Sequence, residues 1–152
     1  MPRPNAGEME NLRRTKKGMK KPPKKQTISK LKKEVWKIFS LYIRLKYSDW
    51  RGYVSCYTCG TIKFYKQIHA GHFISRQFSA TIFDKNNVRP QCYACNIIKK
   101  GSAGRYAQNL INELGDQKFK ELLKKGNTLK QFSIKELEEL KIEISLALDK
   151  LP

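Results

Sequence analysis

The chain has 152 residues, and 32 Lys and Arg against 13 Asp and Glu give it a formal net charge of +19 and a pI near 9.9. That length makes one domain with room for a core, and the cationic excess calls for a polyanionic partner, nucleic acid before an anionic membrane surface. No apolar run approaches the roughly 20 residues of a membrane span, and Met1–Ala6 holds no apolar signal-peptide core, so the expected setting is the cytoplasm.

Residues 1–26 contain four prolines and eight Lys or Arg between Asn11 and Lys25, with no acid among those eight. So few apolar side chains cannot offset the entropy of ordering, which predicts a disordered basic arm suited to nonspecific phosphate contact. From Thr27 to about Tyr47, Ile28, Leu31, Val35, Ile38, Tyr42 and Leu45 recur in steps of three and four, the stripe of an amphipathic helix; Trp36, Phe39 and Ile43 widen it. Tyr53-Val54 and Ile62–Tyr65 read as short strands around a turn at Gly60, and Lys66–Phe73 and Thr81–Val88 as two further extended pieces. A helix is expected to begin near Cys92 or Tyr93.

Ala103, Tyr106, Ala107, Leu110, Ile111 and Leu114 mark a helix stopped by Gly115, and Phe119, Leu122 and Leu123 a short one ending at Gly126. Ser133 with Glu136 three residues on predicts a capping box, opening a last helix with Leu137, Leu140, Ile144, Leu148 and Leu151 on its apolar face. Domains are expected at 1–26 (arm), 27–115 (core with lead-in helix) and 116–152 (helical extension). The extension is read as packing, and part of it could serve a homodimer.

All four cysteines fall in two pairs, Cys56-x2-Cys59 and Cys92-x2-Cys95. Each pair makes a tight knuckle presenting two thiolates, and two knuckles close a tetrahedral zinc site in a compartment where disulfides are rare. Inside the frame and directly behind it stand His69, His72, Asn87 and Asn96, which a purely structural zinc site does not need.

This middle stretch resembles the HNH endonucleases, whose pattern is Cys-x2-Cys, a strand-end His, then Asn-x2-Pro-x-Cys-x2-Cys-Asn-x2-Lys. The chain carries Cys56-x2-Cys59, His72 and Asn87-Val88-Arg89-Pro90-Gln91-Cys92-Tyr93-Ala94-Cys95-Asn96-Ile97-Ile98-Lys99. Cys56–Gly60, Ala70–Arg76, Phe83–Val88, Gln91-Cys92 and Tyr106–Gly115, with the lead-in Ser40–Arg44, are similar more closely to the phage NinG family of Rap-like recombination endonucleases, over roughly residues 29–150. The resemblance implies an α+β fold: a zinc-stapled ββα-metal core with flanking helices. It further implies cleavage of branched DNA such as Holliday junctions and displacement loops, in the host cytoplasm, alongside other phage recombination proteins.

Hydrolysing a phosphodiester requires a water deprotonated near neutral pH, a task for histidine. By its match to the family, His72 is expected as general base, Asn87 as the residue holding the loop that orients it, and Asn96 as an amide ligand for catalytic Mg²⁺ or Mn²⁺. Many relatives place an Asp directly before the catalytic His, where Gly71 stands here, so Asp84 or His69 is the remaining candidate ligand for that ion. Arg76, Lys99, Lys100 and Arg105 are candidate phosphate contacts. A zinc-ribbon nucleic-acid-binding protein without catalysis explains the charge and the cysteines but uses neither His72 nor Asn96, and a structural adaptor acting through the C-terminal helices is a third reading.

Overall fold

A computed structural model describes residues 26–151; the expected arm, apart from Gln26, lies outside the described residues. Helix α1 spans Ile28–Lys46, where Thr27 caps the start by accepting from the Lys30 amide at 3.2 Å. Its buried face is Leu31, Val35, Phe39, Tyr42 and Ile43. The core stripe is thus rotated from the expected one: Phe39 and Ile43 are central, and Ile28 at the first turn is exposed.

Two antiparallel two-stranded sheets follow. Strands β1 (Tyr53–Ser55) and β2 (Ile62–Phe64) pair with Tyr53 opposite Phe64, and β3 (His69–His72) and β4 (Val88–Gln91) pair with His72 opposite Val88. The second extended piece expected at Thr81–Val88 is instead a series of turns, and the strand begins only at Val88. Asp84 explains the shift: its carboxylate accepts the Asn86 amide at 2.9 Å and its carbonyl the Asn87 amide at 2.9 Å, which folds the chain back before it can extend.

The helix expected after the second knuckle is a single π-helical turn, Ala94–Ile98. Lys100, Gly101 and Ser102, all at positive φ (46°, 87° and 51°), break it from α2 (Ala103–Leu114). Gly115 at φ 80° ends α2 and leads into α3 (Asp116–Gly126). The last helix, α4 (Ile134–Asp149), opens on the predicted capping box, with Ser133 and Glu136 each bonded to the other's backbone.

The main core lies between α1 and α4, where Leu137 and Ile144 meet the buried α1 face together with Phe83 and Val88. A second cluster, Tyr106, Leu110 and Leu122 with Phe73, Ile74 and Phe119, joins α2 and α3 to the loop after β3. The fold is therefore mixed α and β with small sheets, and the sheets carry the knuckles between two helical layers.

Candidate functional site

The two knuckles bring all four sulfurs within 4.8 Å of one another. Cys59 Sγ and Cys92 Sγ stand 3.7 Å apart, close to the roughly 3.8 Å edge of a tetrahedron with zinc–sulfur bonds of about 2.3 Å. Gly60 at φ 77° donates its amide to the Cys56 carbonyl at 2.8 Å, closing the first knuckle. The Cys92 amide donates to Cys56 Sγ at 3.2 Å, so the start of one knuckle already supports the thiolate of the other. Burial raises the Cys92 thiol to about 12; Cys56, although burial opposes it, is drawn down to about 6 by the Thr58 hydroxyl and surrounding backbone amides. These residues fit a zinc ion: the four cysteines could hold one as a closed structural site, and a cation would stabilise every thiolate in the set.

β4 leaves the sheet directly into this cluster, and its side chains are buried throughout. Arg89, 1 % exposed, forks onto Glu113 of α2 at 3.1 and 2.8 Å while its third nitrogen donates to the carbonyls of Lys85 and Val88. Tyr57, next to the first knuckle, donates its hydroxyl to the same carboxylate at 2.7 Å. The ion pair thus ties the sheet, a knuckle and α2 together. No sequence signal marks Arg89 as buried, because its partner lies 24 residues away.

Beside the zinc-type cluster, between α1, β3 and the π-helical turn, is a cavity of about 630 Å³. His72, His69, Asn96, Arg76 and Lys100 line it, joined by Trp36, Ser40, Arg44 and Lys66. His72 and Asn96 both line this one opening. The Asn96 amide, however, donates to His69 Nδ1 at 3.0 Å rather than bonding His72. Lys99, Arg105 and Asp84 are not among the cavity's lining residues. Arg105 borders a separate depression beside Cys56–Gly60, and the Asp84 carboxylate is ion-paired with Lys125 at the end of α3.

The His72 ring stacks on Trp36 with centroids 4.7 Å apart, and its Nε2 lies 2.9 Å from the Ile82 carbonyl. A carbonyl only accepts, so in the neutral ring the proton sits on Nε2 and the lone pair on Nδ1. Burial, reinforced by the nearby Arg76 charge and opposed by the Ile82 bond, lowers His72 to about 4, which keeps the imidazole unprotonated at neutral pH.

Asn87, fully buried, fixes the loop that presents that carbonyl. Its Oδ1 accepts the Ile74 amide at 2.7 Å, and its Nδ2 donates to the carbonyls of Ile74 and Thr81 at 3.0 Å each. The Tyr106 hydroxyl donates to the Gly71 carbonyl at 2.9 Å, holding the end of β3 from the other side.

Arg44, which sequence reasoning left out of the site, is held in the cavity wall by the carbonyls of Ser40 and Tyr65 at 3.0 and 3.1 Å. Trp36, Ser40 and Arg44 stand four residues apart along α1, a spacing that places them on one helix face and could have revealed this wall.

Among the described residues four cations line the cavity and no Asp or Glu does. A divalent ion would find neutral donors there, the Asn96 amide oxygen, the Ser40 and Ser75 hydroxyls and imidazole nitrogens, so these residues do not fit Mg²⁺ or Mn²⁺, which favour carboxylates. The missing carboxylate at position 71 has a steric cause. A Cβ on Gly71 would overlap the side-chain amide of Gln91, whose Nε2 is bound to Gly101 O and Thr58 Oγ1 and whose buried Oε1 has no partner among the described residues.

A family model described as the bacteriophage lambda NinG protein matches residues 4–151. Two curated relatives, each called protein ninG, come from Escherichia phage 933W and Enterobacteria phage VT2-Sa. Each is 34 % identical over 68 residues, covering 44 % of this chain and 33 % of the relative, so the match spans about a third of their length. No solved structure matches the chain. No helix among the described residues is long and apolar enough to cross a membrane.

Proposed function

This chain belongs to the NinG family, and from that premise we propose that it is an HNH-type DNA endonuclease acting on branched recombination intermediates. The observation that carries the reading is the state of His72: unprotonated, its Nε2 proton engaged by Ile82, its Nδ1 lone pair left to act, in a cavity walled by Arg44, Lys66, Arg76 and Lys100.

The four cations clamp the phosphodiester and offset its charge as the pentavalent state develops. His72 Nδ1 takes a proton from a water, and the resulting hydroxide attacks phosphorus. The bond to the 3′-oxygen breaks, and that oxygen is protonated from solvent. Asn87 acts one step removed, holding Thr81 and Ile74 so that the Ile82 carbonyl meets the ring. His69 orients Asn96 toward the same space. Trp36 backs the imidazole and fixes its plane.

One observation favours the non-catalytic reading, a zinc-ribbon DNA-binding protein: the cavity has no carboxylate. A cleavage assay on a four-way junction and on linear duplex, with and without Mg²⁺, separates the two. The junction is cut by the native chain, and His72→Ala lowers the rate by about 10²- to 10⁴-fold while zinc content and junction affinity hold. Native-level cleavage by His72→Ala removes the base assignment, and no cleavage by the native chain leaves the DNA-binding reading.

A further inference from the structure

The β1–β2 hairpin displays aromatic surface that no contact in the fold explains. Trp50, in the turn before β1, is 87 % exposed, Tyr53 48 % and Ile62 64 %. The register puts Tyr53 opposite Phe64 and Ser55 opposite Ile62, so these four stand on one face of the hairpin while Val54 turns inward. The rings of Tyr53 and Phe64 meet edge to face at 5.8 Å.

These rings are held in place. Asp49 Oδ1 accepts the amides of Arg51 and Tyr53 at 2.9 Å each, and Oδ2 accepts the Arg51 guanidinium at 3.1 Å. The guanidinium in turn lies over both neighbouring rings, 5.6 Å from Trp50 and 5.8 Å from Tyr53. Gly52 at φ 85° closes the turn, with the Phe64 ring packed where a side chain would stand. The bond from the Tyr53 amide, with the others, holds the Asp49 carboxylate below its usual range, and that acid is consumed within the turn. What remains outward on that face is aromatic, with the Arg51 guanidinium beside it; exposed Lys63 pairs with Val54 and lies on the other face, and Lys66, beyond β2, lines the cavity already described.

We propose that this hairpin is a stacking platform for unpaired bases, receiving a single-stranded segment of DNA whose backbone continues toward the cavity. Exposed aromatic rings beside a guanidinium suit bases flanked by phosphates, because every base offers a π face. A second copy of the chain would bring its own net charge of +19 against the same basic surface. The inference rests on the nucleic-acid reading above but not on cleavage.

The test uses the full chain without Mg²⁺. Oligo-dT and a duplex of equal length are titrated at about 0.15 M salt, following intrinsic tryptophan fluorescence and affinity. Oligo-dT quenches the native protein, and Trp50→Ala removes most of the quench and weakens oligo-dT by about five-fold or more, leaving duplex affinity within two-fold. Trp50→Phe retains most of the oligo-dT affinity. The proposal is overturned by unchanged oligo-dT affinity in Trp50→Ala, by equal losses on both DNAs, or by a sedimentation shift from dimer to monomer with oligo-dT binding intact. Absence of cleavage by the native chain in the separate junction assay overturns the nuclease reading and leaves this one standing.

Discussion

Between α1 and α4 the chain buries Leu31, Val35, Phe39, Ile43, Leu137 and Ile144, whereas between β1 and the π-helical turn it buries Cys56, Cys92 and Cys95 with Thr58, Asn87, Arg89 and Gln91. The first region is closed chiefly by apolar contact, with one Lys141–Glu34 ion pair between the helices at 2.8 Å, and losing a methyl group there costs in proportion to the space vacated. The second has strands of three or four residues and little apolar surface, chiefly Val54 and Ile68, so it depends on directional bonds, each of which leaves an unsatisfied partner when removed. An apolar helical frame thus flanks a centre held by directional bonds, and the cavity of the proposed chemistry borders that centre.

Metal removal breaks this comparison most sharply. A closed zinc site contributes on the order of 10 kcal/mol, comparable with the whole stability of a domain this size. Chelation is expected to abolish amide-exchange protection from β1 to β4 while α1 and α4 retain helical circular dichroism; protection unchanged in a metal-free preparation would show that the centre stands without its ion. Leu137→Ala, at a fully buried contact between α4 and α1, is expected to cost about 2–5 kcal/mol in urea unfolding with zinc content unchanged. A loss below 1 kcal/mol would mean that the frame is packed elsewhere. Asn87→Ala has the smallest effect on folding, about 1–3 kcal/mol. It should nevertheless lower cleavage far more than Leu137→Ala does, because the Ile82 carbonyl loses its support. Equal activity in the two variants would make Asn87 a loop staple and no more.

The two regions also differ in what their sequence discloses. Helix spacing, the Ser133–Glu136 box and the stop at Gly115 are local signals, and each of those helices stands where the signals put it. The cysteine spacing is local too, and the sulfurs converge. The partners of the polar centre are distant instead. Asp84 read as a candidate ion ligand because it is the nearest acid in sequence, yet its carboxylate is bound by Lys125, 41 residues on. Phe83 and Val88 suggested a strand between them, while the turn-forming bonds of Asp84 and Asn87 set the strand back to Val88. Arg89 carries no signal of its own beyond its place in the motif, and its burial follows from Glu113, 24 residues on. Trp36 read as one more residue on an apolar stripe, and its ring is instead the floor under His72.

The glycine before His72 carries a consequence for how such a centre changes over generations. Gln91 fills the room that a side chain at position 71 would need, and its amide is also tied to Thr58 of the first knuckle and to Gly101. Restoring an acid there by one substitution would collide with that amide, and trimming Gln91 first would loosen a knuckle before any acid arrived. Positions 71 and 91 are sterically coupled: a side chain at 71 requires Gln91 to move or shrink, so an acid is expected to be tolerated at 71 only together with a change at 91.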